Sequence, residues 1–389
     1  MNYRKNLING DELSQLGFGC MRFPSSEKET EQIIKYAIDN GINYFDTAYI
    51  YPNSERTLGK ILKRLDVREQ VKIATKMPPW MIQSYDDFDK VFNKQLERLQ
   101  TTYIDYYFMH VLTDLAAFEK LRDLGLEKWI AEKKQAGQIK NVGFSYHGGK
   151  SEFVKLLDAY DWQFCMIYYN FVDEHNQAGK SGLEYAHSKQ IPVMIMGPLA
   201  GGRLVNRLPK EVYKLYEKAA TKRTAGEWAL SWVLNHKEVT LALSGMSSLE
   251  DVKANINLVK GIKAGDFTDT EYKMFDEIKA IIASYEKIKC TGCGYCLPCP
   301  RGVDIPTCFD CYNHMETRGR YSALKSYVQS TTLKKDPTNA GKCTGCKVCE
   351  QHCPQFIPIA EKMREVKKKL EGKIYRPGSW LIRKWMRIK

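Results

Sequence analysis

Residues 41–59 are GINYFDTAYIYPNSERTLG, and this segment contains the unit on which the fold prediction depends. Within it, NYFDTA (43–48) has the aromatic-rich composition and the length of a buried strand. The preceding TEQIIKYAIDNG has the apolar spacing of a helix, with Gly41 where that helix should end. A further helix is expected after the polar loop. The segment therefore predicts a strand between two helices.

The same alternation extends over the first 280 residues. Helix patterns such as SYDDFDKVFNKQLERL and AGEWALSWVLNH separate short strand-like segments. The eight predicted strands are LGFGCM (16–21), NYFDTA (43–48), VKIATK (71–76), IDYYFMH (104–110), NVGFSY (141–146), FCMIYYNF (164–171), PVMIMG (192–197) and TLALSG (240–245). Eight strands that alternate with helices indicate an α/β fold of the (β/α)8 TIM-barrel type rather than an open doubly wound sheet. We expect residues 3–14 to form a hairpin at the barrel floor, and TDTE (268–271) to start a helix with a capping box.

Polar side chains stand where the barrel strands end, which is where barrel enzymes carry their catalytic groups. They are Asp46, Tyr51, Lys76 and His110. Tyrosine, with a reference pKa of about 10, becomes a better acid beside an ammonium group. A carboxylate holds the lysine in place, and a histidine can orient a carbonyl oxygen. This set predicts carbonyl reduction with Tyr51 as general acid; alternatively, these side chains only satisfy one another at the rim.

Residues 1–283 resemble the aldo-keto reductase superfamily. The segments that carry the resemblance are GINYFDTAYIYPNSERTLG, IATKM, DYYFMHV, VGFS, YYNF, GPLAGGRL and SGMSSLEDVKANI. The resemblance implies that Asp46, Tyr51, Lys76 and His110 form the catalytic tetrad of that family. It also implies that NADH or NADPH donates a hydride to a small aldehyde or ketone.

The resemblance also implies a set of nucleotide-binding positions. They are Gly19, Met21, Asp46, Ser145, Gly197, Leu199, Gly201, Ser244, Gly245, Met246 and Asn255. Some family features are replaced: Tyr146 stands for an asparagine, Met166 for a glutamine and Met196 for an aromatic residue. Gly245 and Asp251 occupy positions where the family usually offers a lysine and an arginine to the 2′-phosphate of NADPH. Because a carboxylate repels a phosphate, we expect NADH to be preferred.

Ten of the 12 cysteines lie between residues 290 and 353, mostly in C-x-x-C steps. The first twenty residues contain no secretory segment, and no stretch is long enough to span a membrane, so a cytoplasmic protein is expected. In a reducing compartment such cysteines indicate metal rather than disulfides. Zinc sites commonly use two separated C-x-x-C pairs, whereas three cysteines at steps of three followed by Cys-Pro are typical of a 4Fe–4S cluster.

Both runs are similar to those of two-cluster ferredoxins, in which the fourth cysteine of each run serves the other cluster. That resemblance implies Cys290, Cys293, Cys296 and Cys353 for cluster 1, and Cys343, Cys346, Cys349 and Cys299 for cluster 2. The long connection (300–342) favours a mostly α-helical ferredoxin-like domain over residues 284–389. Cys308 and Cys311 are expected to be structural thiols, although they could replace Cys299, whose spacing is one residue short. The whole chain resembles aldo-keto reductases with such a C-terminal extension.

The basic charge is concentrated in this second part. The chain has 59 Lys/Arg and 46 Asp/Glu, and residues 284–389 contribute 21 and 9 of them. Part of this excess can compensate the negative clusters, and no nucleic-acid recognition motif is present. The tail carries Leu381, Ile382, Trp385 and Met386 on one helical face. We expect that face to pack on the protein; docking to an acidic redox partner or to a membrane surface are the alternatives.

Two functions are compatible with these observations. One is a nicotinamide-dependent reductase whose clusters are structural or regulatory; the other is an electron-transfer enzyme whose clusters exchange electrons with a partner protein and the barrel substrate. Hydride carries two electrons and each cluster one, so a bridge normally needs a flavin or a radical. No flavin fingerprint is present, which favours the first. His147, just past the fifth strand, could reach the substrate pocket but is expected to be a bystander, and Cys20 is expected to be a core residue.

Overall fold

The computed structural model describes residues 1–175, 177–206, 208–285, 287–333, 336–373 and 375–385. Its contacts divide the chain into two units, the first containing residues 1–199 and 226–268 and the second containing residues 200–225 and 269–389. The segment 200–225 therefore groups with the cysteine-rich part. The limits predicted from sequence, 1–283 and 284–389, remain a proposal.

The strands confirm the predicted barrel. They are β1 (Tyr3–Lys5), β2 (Glu12–Ser14), β3 (Leu16–Gly19), β4 (Tyr44–Asp46), β5 (Lys72–Met77), β6 (Ile104–Leu112), β7 (Ile139–Tyr146), β8 (Phe164–Tyr168), β9 (Val193–Met196) and β10 (Val239–Ser244). Strands β3 to β10 are parallel and close in the order β10-β3-β4-β5-β6-β7-β8-β9. β1 and β2 form the predicted antiparallel hairpin, with Tyr3 opposite Ser14.

One predicted strand is too long. FCMIYYNF was expected to extend to residue 171, but β8 ends at Tyr168. The reason is a side-chain turn: Asn170 Oδ1 accepts hydrogen bonds from the backbone N–H of Val172 and Asp173. Asparagine offers the backbone this alternative to a strand ladder. The other strand limits agree with prediction to within two residues.

The helices of the described residues include those predicted from TEQIIKYAIDNG, SYDDFDKVFNKQLERL and AGEWALSWVLNH. They are α1 (Glu27–Asp39), α2 (Ser54–Leu65), α3 (Tyr85–Leu99), α4 (Leu115–Asp123), α5 (Leu126–Gln135), α6 (Lys150–Asp158), α7 (Gly179–Ser188), α8 (Arg203–Asn206), α9 (Lys210–Lys218), α10 (Ala225–Leu234), α11 (Leu249–Lys260), α12 (Asp269–Tyr285), α13 (Ile305–Arg318), α14 (Arg320–Tyr327), α15 (Ile359–Leu370) and α16 (Tyr375–Trp385). Gly41 follows α1 with a φ of +92°, a left-handed conformation that glycine adopts without strain. None of the described helices combines the length and hydropathy of a membrane span.

The packing inside the barrel leaves three of the predicted catalytic residues in the layer at the carboxyl ends of the strands. A closely packed group fills it, namely Leu13, Tyr44, Ala74, Tyr106, Phe108, Phe164, Met166, Met194, Leu241 and Leu243. Side chains two positions apart on a strand share a face. Residues that follow Tyr44, Ala74 and Phe108 by two positions therefore occupy the next layer toward the carboxyl ends. Those residues are Asp46, Lys76 and His110.

The second unit is mostly helical and has its own core. That core combines residues of α13, α14 and α15 with the cysteine loops, and includes Phe309, Tyr327 and Met363. The tail forms a helix as far as it is described, and Arg383 of α16 donates a hydrogen bond to the Thr332 carbonyl at 2.8 Å. Leu381 and Ile382 are 58% and 41% exposed, which argues against the expected packing of this face on the protein, and Met386 lies outside the described residues.

Candidate active site and cluster sites

Asp46 and Lys76 form a buried pair on adjacent strands. Lys76 Nζ donates to Asp46 Oδ1 at 2.5 Å and to the Thr47 carbonyl at 2.7 Å. Burial raises the pKa of Asp46 and lowers that of Lys76, while the opposite charge of the partner acts against both changes. An ammonium group has three donors. Two of them are used in these bonds, which leaves the third available to a further oxygen.

Tyr51 and His110 lie beside this pair. The rings of Tyr51 and His110 meet edge to face with their centroids 6.0 Å apart. Lys76 Nζ is 5.3 Å from the centroid of the Tyr51 ring. The four residues predicted as catalytic therefore lie together at the carboxyl ends of the strands, although they are separated by up to 64 positions in the sequence.

His110 is buried, which favours the neutral form of its imidazole. Burial lowers its pKa well below the usual range, and the Lys76 ammonium and His147 add to that effect. Its Nδ1 has no hydrogen-bond partner among the described residues. The Trp80 ring lies 6.1 Å from the imidazole, and 55% of the Trp80 surface is exposed. A neutral imidazole can hydrogen-bond a carbonyl oxygen but is a poor source of a proton.

A strained residue adjoins His110 and gave no sequence signal. Val111 has a φ of +57°, which is rare for a β-branched residue, and the pairing of β6 with β7 shifts register between Met109 and Leu112. The Val111 N–H donates to Ser145 Oγ at 2.9 Å. Strain of this kind concentrates at functional sites. The irregularity fixes His110 and Ser145 relative to each other.

His147, which was expected to be a bystander, is buried and acts electrostatically on His110. Burial lowers its pKa to about 4, although a hydrogen bond to Gln177 opposes the change. That bond joins His147 Nδ1 and Gln177 Oε1 at 3.1 Å. The position directly after a predicted strand was the only sequence signal for this residue.

Several predicted nucleotide positions converge at the ends of β3 and β10. A Cβ atom on Gly19 would lie 3.3 Å from the Ser244 carbonyl, so a larger residue here would require the backbone of Ser244 to shift by a few tenths of an ångström. Asn255 Nδ2 donates to Ser244 Oγ at 3.1 Å. Gly245 has no side chain to cover its backbone, so a ligand could approach that backbone closely.

The remaining nucleotide positions differ in exposure. Met21 is 48% exposed, whereas Met246 is buried. Gly197 and Gly201 have φ values of +67° and +66°, as expected of a loop that turns backbone N–H groups toward phosphates. Gly201 belongs to the second unit, and Leu199 is the last residue before it.

The carboxylate of Asp251 is held by hydrogen bonds from the backbone. Its Oδ2 accepts hydrogen bonds from the backbone N–H of Ser247 and Ser248, both at 3.1 Å, in the capping box of α11. These donors at a helix start are the kind that bind phosphate. The carboxylate therefore occupies backbone donors at the start of α11.

Four cysteines surround a single cavity in the second unit. Cys290, Cys293, Cys296 and Cys353 line it, and the cavity encloses about 300 Å³, including the part open to solvent. Ile305, Phe309 and Ile357 supply apolar walls. The described residues contain no three-residue group suited to one metal ion. Four thiols around an apolar cavity fit a 4Fe–4S cluster, and the set is the one predicted for cluster 1.

The cysteines predicted for cluster 2 include one that is exposed to solvent. Cys299 and Cys343 lie close enough to Cys349 to raise its pKa, after burial as the main cause. Cys346 is exposed. Cys308 and Cys311 are buried in the core, and the Cys308 thiol donates to the Thr338 carbonyl at 3.8 Å. Neither lines the cavity of the first set.

Known proteins resemble both parts of the chain. Residues 15–280 match the sequence model of the Aldo/keto reductase family, and residues 289–358 match that of the 4Fe-4S dicluster domain. The chain is 30% identical to glyoxal reductase of Bacillus subtilis (61% of this chain, 81% of the relative) and 26% identical to L-galactose dehydrogenase of Arabidopsis thaliana (70% and 92%).

A solved structure of an aldo-keto reductase is also similar to this chain. The holo form of aldo-keto reductase AKR11C1 from Bacillus halodurans is 28% identical and superposes with a TM-score of 0.61, covering 72% of this chain and 96% of that one. The C-terminal match assigns a helical 4Fe–4S dicluster domain to the cysteine-rich part. The first family model spans well over half of the length of this chain, and the chain therefore belongs to the aldo/keto reductase family.

Proposed function

We propose that the protein reduces a small aldehyde or ketone to an alcohol, with hydride from NADH or NADPH and Tyr51 as the general acid. The observation that carries this proposal is the buried Lys76, which is held by Asp46 and lies beside the Tyr51 ring. Family membership supports the reductase class. The substrate carbonyl would approach between Tyr51 and His110.

Each of the four residues has a separate task in this proposal. Tyr51 gives its proton to the carbonyl oxygen as negative charge develops there. The Lys76 ammonium stabilises the phenolate that remains, because its third donor is not used by Asp46 or Thr47. His110, which is neutral, orients the carbonyl oxygen by a hydrogen bond. The bound nicotinamide supplies the hydride.

For the nucleotide, we propose a preference for NADH. Asp251 places a carboxylate on the backbone donors of Ser247 and Ser248, where the family position would face the 2′-phosphate. A 2′-phosphate at this helix start would meet negative charge instead of free N–H groups. Ser145, Ser244 and Asn255 are proposed to bind the rest of the nucleotide.

A second candidate function is electron transfer between a redox partner protein and the barrel substrate. The exposure of Cys346 favours it, since a cluster at that site would lie near the surface. The two functions differ in what the clusters do. In the reductase, carbonyl turnover proceeds with nucleotide alone and leaves the cluster spectrum unchanged; in the alternative, turnover requires an external one-electron donor.

The test is anaerobic purification followed by NADH and NADPH oxidation against a panel of aldehydes and ketones. Wild type and Tyr51→Phe are compared, because the phenylalanine keeps the ring but has no proton to give. Loss of a general acid costs about 10²- to 10⁴-fold in rate. Equal turnover by both proteins would overturn the acid assignment.

A further inference from the structure

Two loops with different predicted ligands lie against each other within the second unit. Arg203 begins α8, and its Nη1 donates a hydrogen bond to the carbonyl of Cys290. A Cβ atom on Gly201 would lie 3.9 Å from the carbonyl of Thr291. Residues 201–203 therefore contact the backbone that begins the first cysteine run. Gly201 is one of the proposed nucleotide-binding positions, and Cys290 is a proposed ligand of cluster 1.

The geometry of residues 201–203 leaves room for an anion. Gly201 and Gly202 have φ values of +66° and +91°, and a Cβ on Gly202 would meet no atom within 4 Å. Successive backbone N–H groups in a turn can face the same side and form a concavity that binds anions. Arg203 follows directly in the sequence, so its guanidinium adds a full positive charge near the same place.

The same guanidinium acts on the cluster site electrostatically. Its Nη1 is hydrogen-bonded to the carbonyl of Cys290, so its positive charge lies beside a proposed ligand of cluster 1. One-electron reduction adds a negative charge to a 4Fe–4S cluster, and a nearby positive charge stabilises that reduced form. An anion bound at residues 201–203 would offset part of this charge. Reduction would then become less favourable.

We propose that Arg203 couples nucleotide binding to the reduction potential of cluster 1. The proposal rests on the proposed function, because it requires the nucleotide pyrophosphate to occupy the Gly201–Arg203 segment. Thermodynamic linkage makes the effect reciprocal: reduction of the cluster weakens nucleotide binding by the same factor. The cluster thus has a regulatory role, in which its redox state adjusts how strongly the Gly201–Arg203 segment holds the pyrophosphate.

The test is a potentiometric titration of the complete, anaerobically purified protein, followed by the EPR signal of the reduced clusters. The probe is ADP-ribose or its 2′-phosphate, whichever corresponds to the nucleotide that supports faster carbonyl reduction. Either probe carries the pyrophosphate but has no nicotinamide that could accept electrons. Binding is measured separately by calorimetry, so that every titration is made at a saturating concentration.

In wild type, the probe should lower the potential of one cluster and leave the other unchanged. A fivefold difference in affinity corresponds to a shift of about 40 mV at 59 mV per tenfold for a one-electron couple. The shifted signal should be the one that Cys353→Ser removes. Arg203→Gln should abolish the shift while both clusters are retained, and Arg203→Lys, which keeps the charge, should preserve most of it.

The outcomes separate this proposal from the proposed function. If the probe binds and carbonyls are reduced, but the potentials do not change, the coupling is wrong and the reductase assignment stands. An equal shift in Arg203→Gln would also refute the role of Arg203. If neither nucleotide nor probe binds, both proposals fail together.

Discussion

Lys76 Nζ lies 2.5 Å from Asp46 Oδ1, and these side chains are only 2% and 5% exposed. Removal of one partner from a buried ion pair leaves an uncompensated charge and costs about 3–5 kcal/mol. Lys76→Met should therefore lower the free energy of unfolding by that amount and abolish carbonyl reduction. Urea denaturation followed by circular dichroism measures the first effect, and nucleotide oxidation the second.

The matched control for this variant is Lys35→Met. Lys35 and Asp39 also form an ion pair, at 2.7 Å, but both are more than half exposed. Exposed pairs contribute at most about 1 kcal/mol. Equal losses of stability in the two variants would contradict the buried-pair argument. The double variant Asp46→Asn/Lys76→Met should recover part of the stability without recovering activity.

His147 should make stability depend on pH in mildly acidic solution. Burial lowers its pKa to about 4, against 6.5 in the unfolded chain, so the unfolded state binds more protons between these values. Its contribution is complete above pH 6.5 and is lost as the pH falls toward 4, with a slope of at most about 1.4 kcal/mol per pH unit.

Urea midpoints from pH 5 to 7.5 should therefore fall more steeply with acidification in wild type than in His147→Asn. The comparison concerns the slope and not the absolute stability, so a packing defect in the variant does not affect it. His110, which is also buried and has a lowered pKa, titrates in both proteins, so the difference between the two slopes reports His147 together with its effect on His110. Parallel curves for the two proteins would show that folding does not lower the pKa of His147.

Asp251 should decide which nucleotide is preferred. Asparagine at this position keeps a capping oxygen but removes the negative charge from the donors of Ser247 and Ser248. Asp251→Asn should raise kcat/KM for NADPH relative to NADH by about tenfold, equivalent to about 1.4 kcal/mol. Initial rates with each nucleotide measure the ratio. A strong NADPH preference in the wild type would refute the predicted NADH preference.

The barrel could be predicted from the sequence because its signals are local. Each strand is a run of β-branched or aromatic residues, and Gly41 and Gly137 adopt the left-handed conformations expected after helices. The prediction that Asp46, Lys76 and His110 lie close together followed from the rule that the carboxyl ends of parallel barrel strands meet at one end of the barrel. No pairwise contact had to be known in advance.

Other features depend on contacts between distant residues and had no local signal. Val111 is a β-branched residue in a left-handed conformation, which propensity argues against, and its N–H is satisfied by Ser145 from the next strand. The bond between Arg203 and the Cys290 carbonyl joins positions 87 residues apart. Periodicity describes faces of helices and strands, and cannot predict such pairs.

The cysteine sets lead to the last prediction, because Cys353 belongs to the second run by sequence but lines the cavity of the first. Cys353→Ser should therefore lose the same cluster as Cys290→Ser, and the iron content should fall from about eight to about four per chain. Cys343→Ser should lose the other cluster. EPR spectra of the anaerobically reduced proteins distinguish the two signals.

Cys308→Ser is the control: this thiol is buried away from the cavity, so both clusters should remain. If Cys353→Ser instead removed the signal lost in Cys343→Ser, ligation would follow sequence order and the crossed arrangement would be wrong.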